Sequence, residues 1–435
     1  MVLPTLISAD TSIAHNFTTA GDAQWADFRN PGRAGLFEHN FTTAGAAAWS
    51  DFGYSLLTDA QAEWIAKNYV IVSLEKCTGR SSGMKTEAAI LKTAAQLKAK
   101  HASLRVMFYW SVSQAGIGCY SANTVFSAHQ DWWLKDDSER VVKPERIDVT
   151  NAAAVDWWVS VVPSSSSLID GVLADDAGFN DIPNISTARL EALYTAKLKM
   201  LTRLQARFDA AGRGGVVFGN GLSQYDQSPT DPHNRRIVGA VAGVQNEHFA
   251  AFEQLFPHNG TLRKDKVADA LREIEWASRN ETKNVFASFW AGPYTGFEPA
   301  GEGVGSGWPR YFDGSQPCGK AKKSCTRDEL YAGWRRELQR YLPFNLAAFL
   351  TVASRTTFFT QAVWYELHQG FVPCPEAPDT CALPSEGYPM LRKRLGVPLG
   401  PREQLGQHRW RRHFEYATAT LDLNDPLGGS GVVFH

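Results

Sequence analysis

Two segments of the 435-residue chain end short apolar runs on carboxylates: IDGVLADDAGF, at Asp175 and Asp176, and AGVQNEHF, at Glu247. A carboxylate ending a buried strand can cap a helix or pair with an arginine. Two such ends facing one pocket can instead do nucleophilic and acid–base work. Breaking a glycosidic bond needs such a pair: one ionised carboxylate to attack or to activate water, and one protonated acid to help the leaving oxygen depart. A separation of about 5 Å goes with retention of configuration, and about 6.5–9.5 Å with inversion. Side chains alternate along a strand, so only one of Asp175 and Asp176 is expected to enter the pocket. Asp170 stands at the start of the same run.

Other residues compete for roles there. Glu38 in GLFEHNF and Glu75 in VSLEKCTG are further acids, with Glu366 behind them, and each could equally accept from a sugar hydroxyl or pair with a cation. Asn220 in VVFGNGL, Tyr109 and Trp110 in MFYWSV, Trp290 in FASFWAGPY and Trp364 in QAVWYEL are expected to bind substrate beside Asp176. Aromatic rings serve either as platforms for the apolar faces of sugars or as plain core mass. Burial among Trp290, Trp364 and Tyr109 is expected to keep Glu247 protonated near neutral pH. The 11 His show no H-E-x-x-H spacing, so neither a metal nor a cofactor is expected, and a G-x-S-x-G nucleophile elbow is missing.

The elements that must position these residues alternate. Candidate strands are Gly35–Glu38, Val70–Glu75, Arg105–Trp110, Gly171–Asp175, Gly215–Asn220, Ala240–Glu247, Asn284–Trp290 and Thr357–Trp364. Helical spacing marks Ala88–Lys100, Ala188–Ala211, Lys264–Asn280 and Thr326–Tyr341 between them. Strand–helix alternation implies a parallel sheet, and eight strands predict an α/β fold, a (β/α)8 TIM barrel. The candidate residues fall at the strands' C-terminal ends, the face where such barrels bind substrate. A doubly wound open sheet would call for a Gly-rich phosphate loop after the first strand, and none is there. Residues 1–30 read as an N-terminal extension, 31–395 as the barrel and 396–435 as a small C-terminal β appendage. HNFTTAGDAQWADF at 15–28 recurs as HNFTTAGAAAWSDF at 39–52, a local duplication.

The charge is nearly balanced, 44 Lys+Arg against 45 Asp+Glu, with no basic run, which excludes a general attraction for nucleic acid or anionic membranes. No window approaches the roughly 18 apolar residues of a membrane span. Cys318 with Cys325 and Cys374 with Cys381 form close pairs in polar loops, and Cys77 and Cys119 follow the second and third strands, where a disulfide could join neighbouring loops. Sequons at Asn16, Asn40, Asn184, Asn259 and Asn280 agree with oxidised loops, so N-linked glycans and a secreted, extracellular or secretory-lumen location are expected. The N-terminus makes no convincing signal peptide.

The segments LLTDAQAEWIAKNYVIVSLEK, HQDWWLKDDSERVV, IDVTNAAAVDWWV, IDGVLADDAGF and LGVPLG…HRWRRHFEYATATLDLN together resemble the TIM-barrel glycoside hydrolases known mainly as hypothetical glycosyl hydrolase families, over roughly residues 35–425. The chain is more distantly similar to endo-α-1,4-polygalactosaminidases and, in site layout, to the α-galactosidase clan. The resemblance implies a nucleophilic aspartate ending strand four, here Asp175, and an acid/base carboxylate ending strand six, here Glu247. The family pattern often reads D-G-V-F-L-D-N, and Asp176 stands where Asn is common. The expected activity is retaining hydrolysis of an α-linked oligo- or polysaccharide. The alternative is a non-catalytic carbohydrate-binding or structural glycoprotein on the same barrel, because a fold does not fix a function.

Overall fold

The computed structural model describes residues 47–50, 56–113, 118–179, 182–212, 214–222, 232–249, 263–279, 283–290, 327–363, 367–368 and 389–435. Runs such as Val106–Trp110 and Val216–Phe218 are buried on both sides of the strand alternation, as a sheet covered on both faces requires. The parallel strands are β1 (Ala47–Ser50), β2 (Ile71–Leu74), β3 (Arg105–Ser111), β4 (Gly171–Asp175), β5 (Val216–Asn220), β6 (Gly243–Phe249), β7 (Asn284–Trp290) and β8 (Thr357–Val363). They lie side by side in chain order. A two-residue β9 (Leu367–His368) turns back antiparallel on β8. β1 also comes against β8, so the sheet curls back towards its own first strand, without a ladder between those two among the described residues.

The crossovers carry α1 (Asp59–Asn68), α2 (Thr86–Lys100), α3 (Ala122–Ala128), α4 (Ala152–Val161), α5 (Thr187–Ala210), α6 (Pro232–Ala240), α7 (Lys264–Ala277) and α8 (Arg327–Val352). Local chemistry sets their starts. Thr58 accepts from the Gln61 backbone N–H while the Gln61 side chain accepts from the Thr58 N–H, a reciprocal cap for α1. Asn151 accepts from the N–H groups of Ala153 and Ala154 to start α4. In α5 the buried Leu190, Tyr194, Leu198, Leu201, Leu204 and Phe208 recur three and four apart, giving one face to the sheet. Strand alternation then separates two cores. Ile71, Met107, Tyr109, Leu173, Val216, Phe218 and Phe358 pack inside the curl, and Val72, Phe108, Trp110, Val172, Ala174 and Val217 pack under the helices.

Several elements depart from the bounds expected from sequence. The first described strand is Ala47–Ser50, inside the second copy of the duplication; the expected strand Gly35–Glu38 and residues 1–30 lie outside the described residues. The sixth begins at Gly243, because 232–240 is helical, and runs two residues past Glu247 to Phe249. The helix expected to end at Tyr341 runs through Pro343 to Val352. A proline inside a helix costs about 3 kcal/mol. Here Phe344, Leu346, Ala347, Ala348, Phe349 and Leu350 are all buried, and burial on every side outweighs the lost hydrogen bond.

Beyond the parallel sheet, β10 (Glu403–Gly406), β11 (Arg409–His413), β12 (Ala417–Asp422) and β13 (Gly431–Phe434) form an antiparallel sheet in chain order. Ala417, Ala419 and Leu421 alternate inward on β12 and join the same hydrophobic cluster as the helices. Arg412 donates to the carbonyls of Leu350 (3.3 Å) and Ala353 (2.6 Å), fastening this sheet to the C-terminal end of α8, where helix carbonyls lack partners. Among the described residues no helix is long and apolar enough to cross a membrane.

Candidate active site

Register decides which side chains meet. Ser111 pairs with Asp175 between β3 and β4, and Asn220 with Gln245 between β5 and β6. Partners in a parallel ladder share a face, as do residues two apart. Tyr109, Ser111, Asp175, Asn220, Gln245 and Glu247 therefore line the inner face at the C-terminal ends of four successive strands. The apolar inner core lies beneath them.

At the centre is one amide. Asn220 Nδ2 donates to Asp175 Oδ1 at 2.7 Å and also to Glu247 Oε2. Two hydrogen bonds from one nitrogen hold the two carboxylate oxygens within roughly 5–6 Å of each other. The Tyr109 hydroxyl donates to Asp175 Oδ2, and the Asp176 backbone N–H donates to Asp175 Oδ1 at 2.8 Å. Asp175 thus receives three donors. Burial, then the charges of Asp175 and Glu75, push the Tyr109 phenol well above its ordinary range, so it stays a donor. Asn220 and Glu247 are buried, and Asp175 is half-buried.

Glu75 follows β2 and is also buried; Lys76 Nζ lies 3.6 Å from Glu75 Oε2 and 5.1 Å from the centre of the Tyr109 ring. The Glu75 charge acts on the Tyr109 phenol, which associates Glu75 with the same group of residues.

Asp176 departs from the expected alternation. β4 ends at Asp175, and Asp176 adopts φ 57°, a left-handed turn that aspartate tolerates better than most residues. Its carboxylate accepts from Ser111 Oγ at 3.1 Å, so it lies beside Asp175 rather than across the sheet from it. Burial first, and the Asp175 charge second, raise its pKa, against the pull of Lys197, Ser111 and Arg146. Lys197, buried on α5, donates to the carbonyls of Asp176 and Gly178, both at 2.8 Å. Burial lowers its pKa to about 8; Asp176 and Asp175 act against that and Arg146 with it. Behind this turn Ala177 N and Gly178 N donate to Asn220 O at 2.8 and 3.1 Å. A Cβ at Gly221 would lie 2.4 Å from Gly178 Cα, so the turns after β4 and β5 pack backbone against backbone.

Trp110 is not in this group. It points away from Tyr109, is fully buried, donates Nε1 to Trp158 O at 3.2 Å and stacks on Trp158 at 6.3 Å, so it is outer core. Asp170, at the far end of β4, pairs with Lys98 (2.5 Å) and Arg105 (3.3 Å), a structural role. Trp290 ends β7, but its side chain, like Glu38, Trp364 and Glu366, lies outside the described residues. The expected burial of Glu247 among tryptophans rests on those side chains. Ser111, Gln245 and Lys197 were missed. Ser111 is two residues past Tyr109 and Gln245 two before Glu247, so alternation alone could have found both. Lys197 interrupts the apolar face of α5 between Tyr194 and Leu201, which is the signal of a lysine with an inward task.

Cys77 and Cys119 meet in the loops after β2 and β3, their Cα atoms 5.2 Å apart as in a disulfide. The other four cysteines and the sequons at Asn16, Asn40, Asn259 and Asn280 lie outside the described residues, while Asn184 is exposed. Among the described residues no cluster of His, Cys, Asp and Glu could hold a metal ion.

No family model matches the chain, and no curated protein matches it. Among solved structures it is similar to an α-amylase from Geobacillus thermoleovorans complexed with acarbose, at 9% identity over 88% of this chain and 87% of that one, TM-score 0.45. It is similar to the galactosidase domain of an α-galactosidase–sucrose kinase, at 9% identity over 87% of this chain and 46% of that one, TM-score 0.41. It is also similar to a 2,3-dimethylmalate lyase, at 8% identity over 56% and 66% of the two chains, TM-score 0.31. Similarity at this level fixes neither activity nor substrate.

Proposed function

We propose that the chain is a glycoside hydrolase acting with retention on an α-linked oligo- or polysaccharide, at the C-terminal mouth of a parallel sheet that closes as a (β/α)8 barrel. The observation that carries it is the Asn220 amide shared by Asp175 and Glu247. It supports a separation near that of a nucleophile and its acid/base, too small for an intervening catalytic water. Asp175 attacks the anomeric carbon, and Glu247 gives its proton to the departing oxygen. Glu247 then takes a proton from water as that water opens the glycosyl–Asp175 ester, which frees the sugar and restores both groups. Asn220 and Tyr109 aim Asp175 and take up its changing charge.

Between the two aspartates, the three donors to Asp175 oxygens support Asp175 as nucleophile, while Asp176 and Glu75 contact substrate hydroxyls. Trp290, Trp364 and Glu38 are assigned to the rim of the same mouth. The α-linkage follows from the sequence resemblance alone. A Cys77–Cys119 disulfide and a glycan on the exposed Asn184 would fit a secreted or lumenal protein.

Activated aryl glycosides, followed by proton NMR of the first-formed anomer, test this. Turnover with retention is expected, with Asp175→Asn and Glu247→Gln each folded and slower by roughly 10³-fold or more. Undiminished turnover in Asp175→Asn would remove it as nucleophile. Sugar binding by the wild type without any turnover would favour the non-catalytic alternative.

A further inference from the structure

Away from the strand ends, a groove of about 560 Å³ runs between α7 and the β10–β11 hairpin. The size is that of a small-molecule site. α7 follows β6 and returns the chain to the start of β7, so its first turn lies at the C-terminal end of the sheet, the end that carries Asp175 and Glu247. Asp265, Asp269 and Arg272 are four and three residues apart on α7 and form one wall. The hairpin supplies the other, with Gln404 and Gln407 exposed and Trp410 half-buried.

The chemistry of the walls selects a ligand class. Asp269 pairs with Arg272, Asp265 lies 3.0 Å from His408, and Arg402 adds a second guanidinium, so two acids meet two arginines and the walls favour neither a cation nor a polyanion. What remains is hydrogen-bonding capacity in planar groups, carboxylate, amide and guanidinium, around one indole. Arg402 lies over the Trp410 ring at 5.5 Å and donates to Glu275 through Nη2 at 2.9 Å, while its buried Nη1 has no partner among the described residues. An aromatic face flanked by such groups matches a neutral polyhydroxylated ring, apolar on its faces and hydroxylated at its edge.

We infer that this groove is a second carbohydrate site, which holds a remote stretch of a polymeric glycan while another stretch occupies the mouth. The choice of glycan as ligand rests on the hydrolase reading; the groove itself needs no catalytic step.

The test is affinity electrophoresis of the full chain in gels containing soluble starch, dextran, galactan or β-glucan. The Trp410→Ala and Gln404→Ala/Gln407→Ala variants run beside it, as does Asp175→Asn to control for the mouth. At least one polymer should retard the wild type and Asp175→Asn alike. Trp410→Ala should weaken that retardation at least tenfold and the glutamine variant severalfold, while both hydrolyse a short aryl glycoside at the wild-type rate. Should Trp410→Ala not fold, the exposed glutamine pair decides. Equal retardation of wild type and groove variants, or none on any polymer, overturns the site. Failure of the hydrolase reading appears separately, as absent turnover alongside retardation that still depends on Trp410.

Discussion

At the scale of residues, the site depends on one neutral amide placed between two acids. Its nitrogen serves both, because the ionised Asp175 and the carbonyl oxygen of a protonated Glu247 can each accept. Asn220→Ala should therefore leave a folded protein whose kcat falls roughly 10²-fold with little change in KM, measured on an aryl glycoside. Lys197 offers a test of a different kind. Its pKa is lowered from 10.5 to about 8 by burial, so between those pH values the unfolded chain carries a proton that the folded chain has released. Stability from this group thus rises with pH across that window, and below it the buried charge is a constant penalty, roughly 3 kcal/mol. Denaturant unfolding at pH 7.5 and pH 10 should show the wild type gaining stability relative to Lys197→Met over that step. A parallel response of the two proteins would mean that Lys197 titrates normally.

At the scale of elements, the strands were legible because an inner and an outer core both demand apolar residues, leaving unbroken runs such as VMFYW in β3. The expected bounds of β4 and β7 coincide with the observed ones. Strand alternation placed Tyr109 inward, and it equally placed Trp110 outward, where the sequence expectation had counted it with the site. Alternation could not place Asp176, because the left-handed turn after Asp175 belongs to packing: the carbonyls of Asp176 and Gly178 are fixed by a lysine 21 and 19 residues away. The close approach of Gly221 to Gly178 is the tightest part of that arrangement. Gly221→Ala should lower stability by about 1–3 kcal/mol, read from its melting temperature, and reduce activity more than the stability loss accounts for. An alanine variant of wild-type activity would show that the two turns can move apart freely.

At the scale of the molecule, the antiparallel C-terminal sheet and the curled parallel sheet share one hydrophobic cluster through α8, so neither has a separate core on that side. The Cys77–Cys119 pair spans 42 residues and ties the loop after β2 to that after β3, at the rim of the proposed mouth. If it is closed, both thiols should resist labelling in the native protein until reduced, and Cys119→Ser should cost about 3–4 kcal/mol. Rapid labelling of both before reduction would show an open pair and weaken the secretory reading.

The sequence by itself determined the alternation of strand and helix, the inner and outer faces of most strands, and the placing of Asp175 and Asn220 at strand ends with Glu247 two residues short of one, because those depend on period and burial along the chain. It could not determine that a single amide joins two of them, that Asp176 turns back beside Asp175, or that a lysine from α5 fixes that turn. Those depend on the register between strands and on contacts between residues distant in the chain. Packing likewise carried α8 through Pro343, where local propensity alone would have ended it.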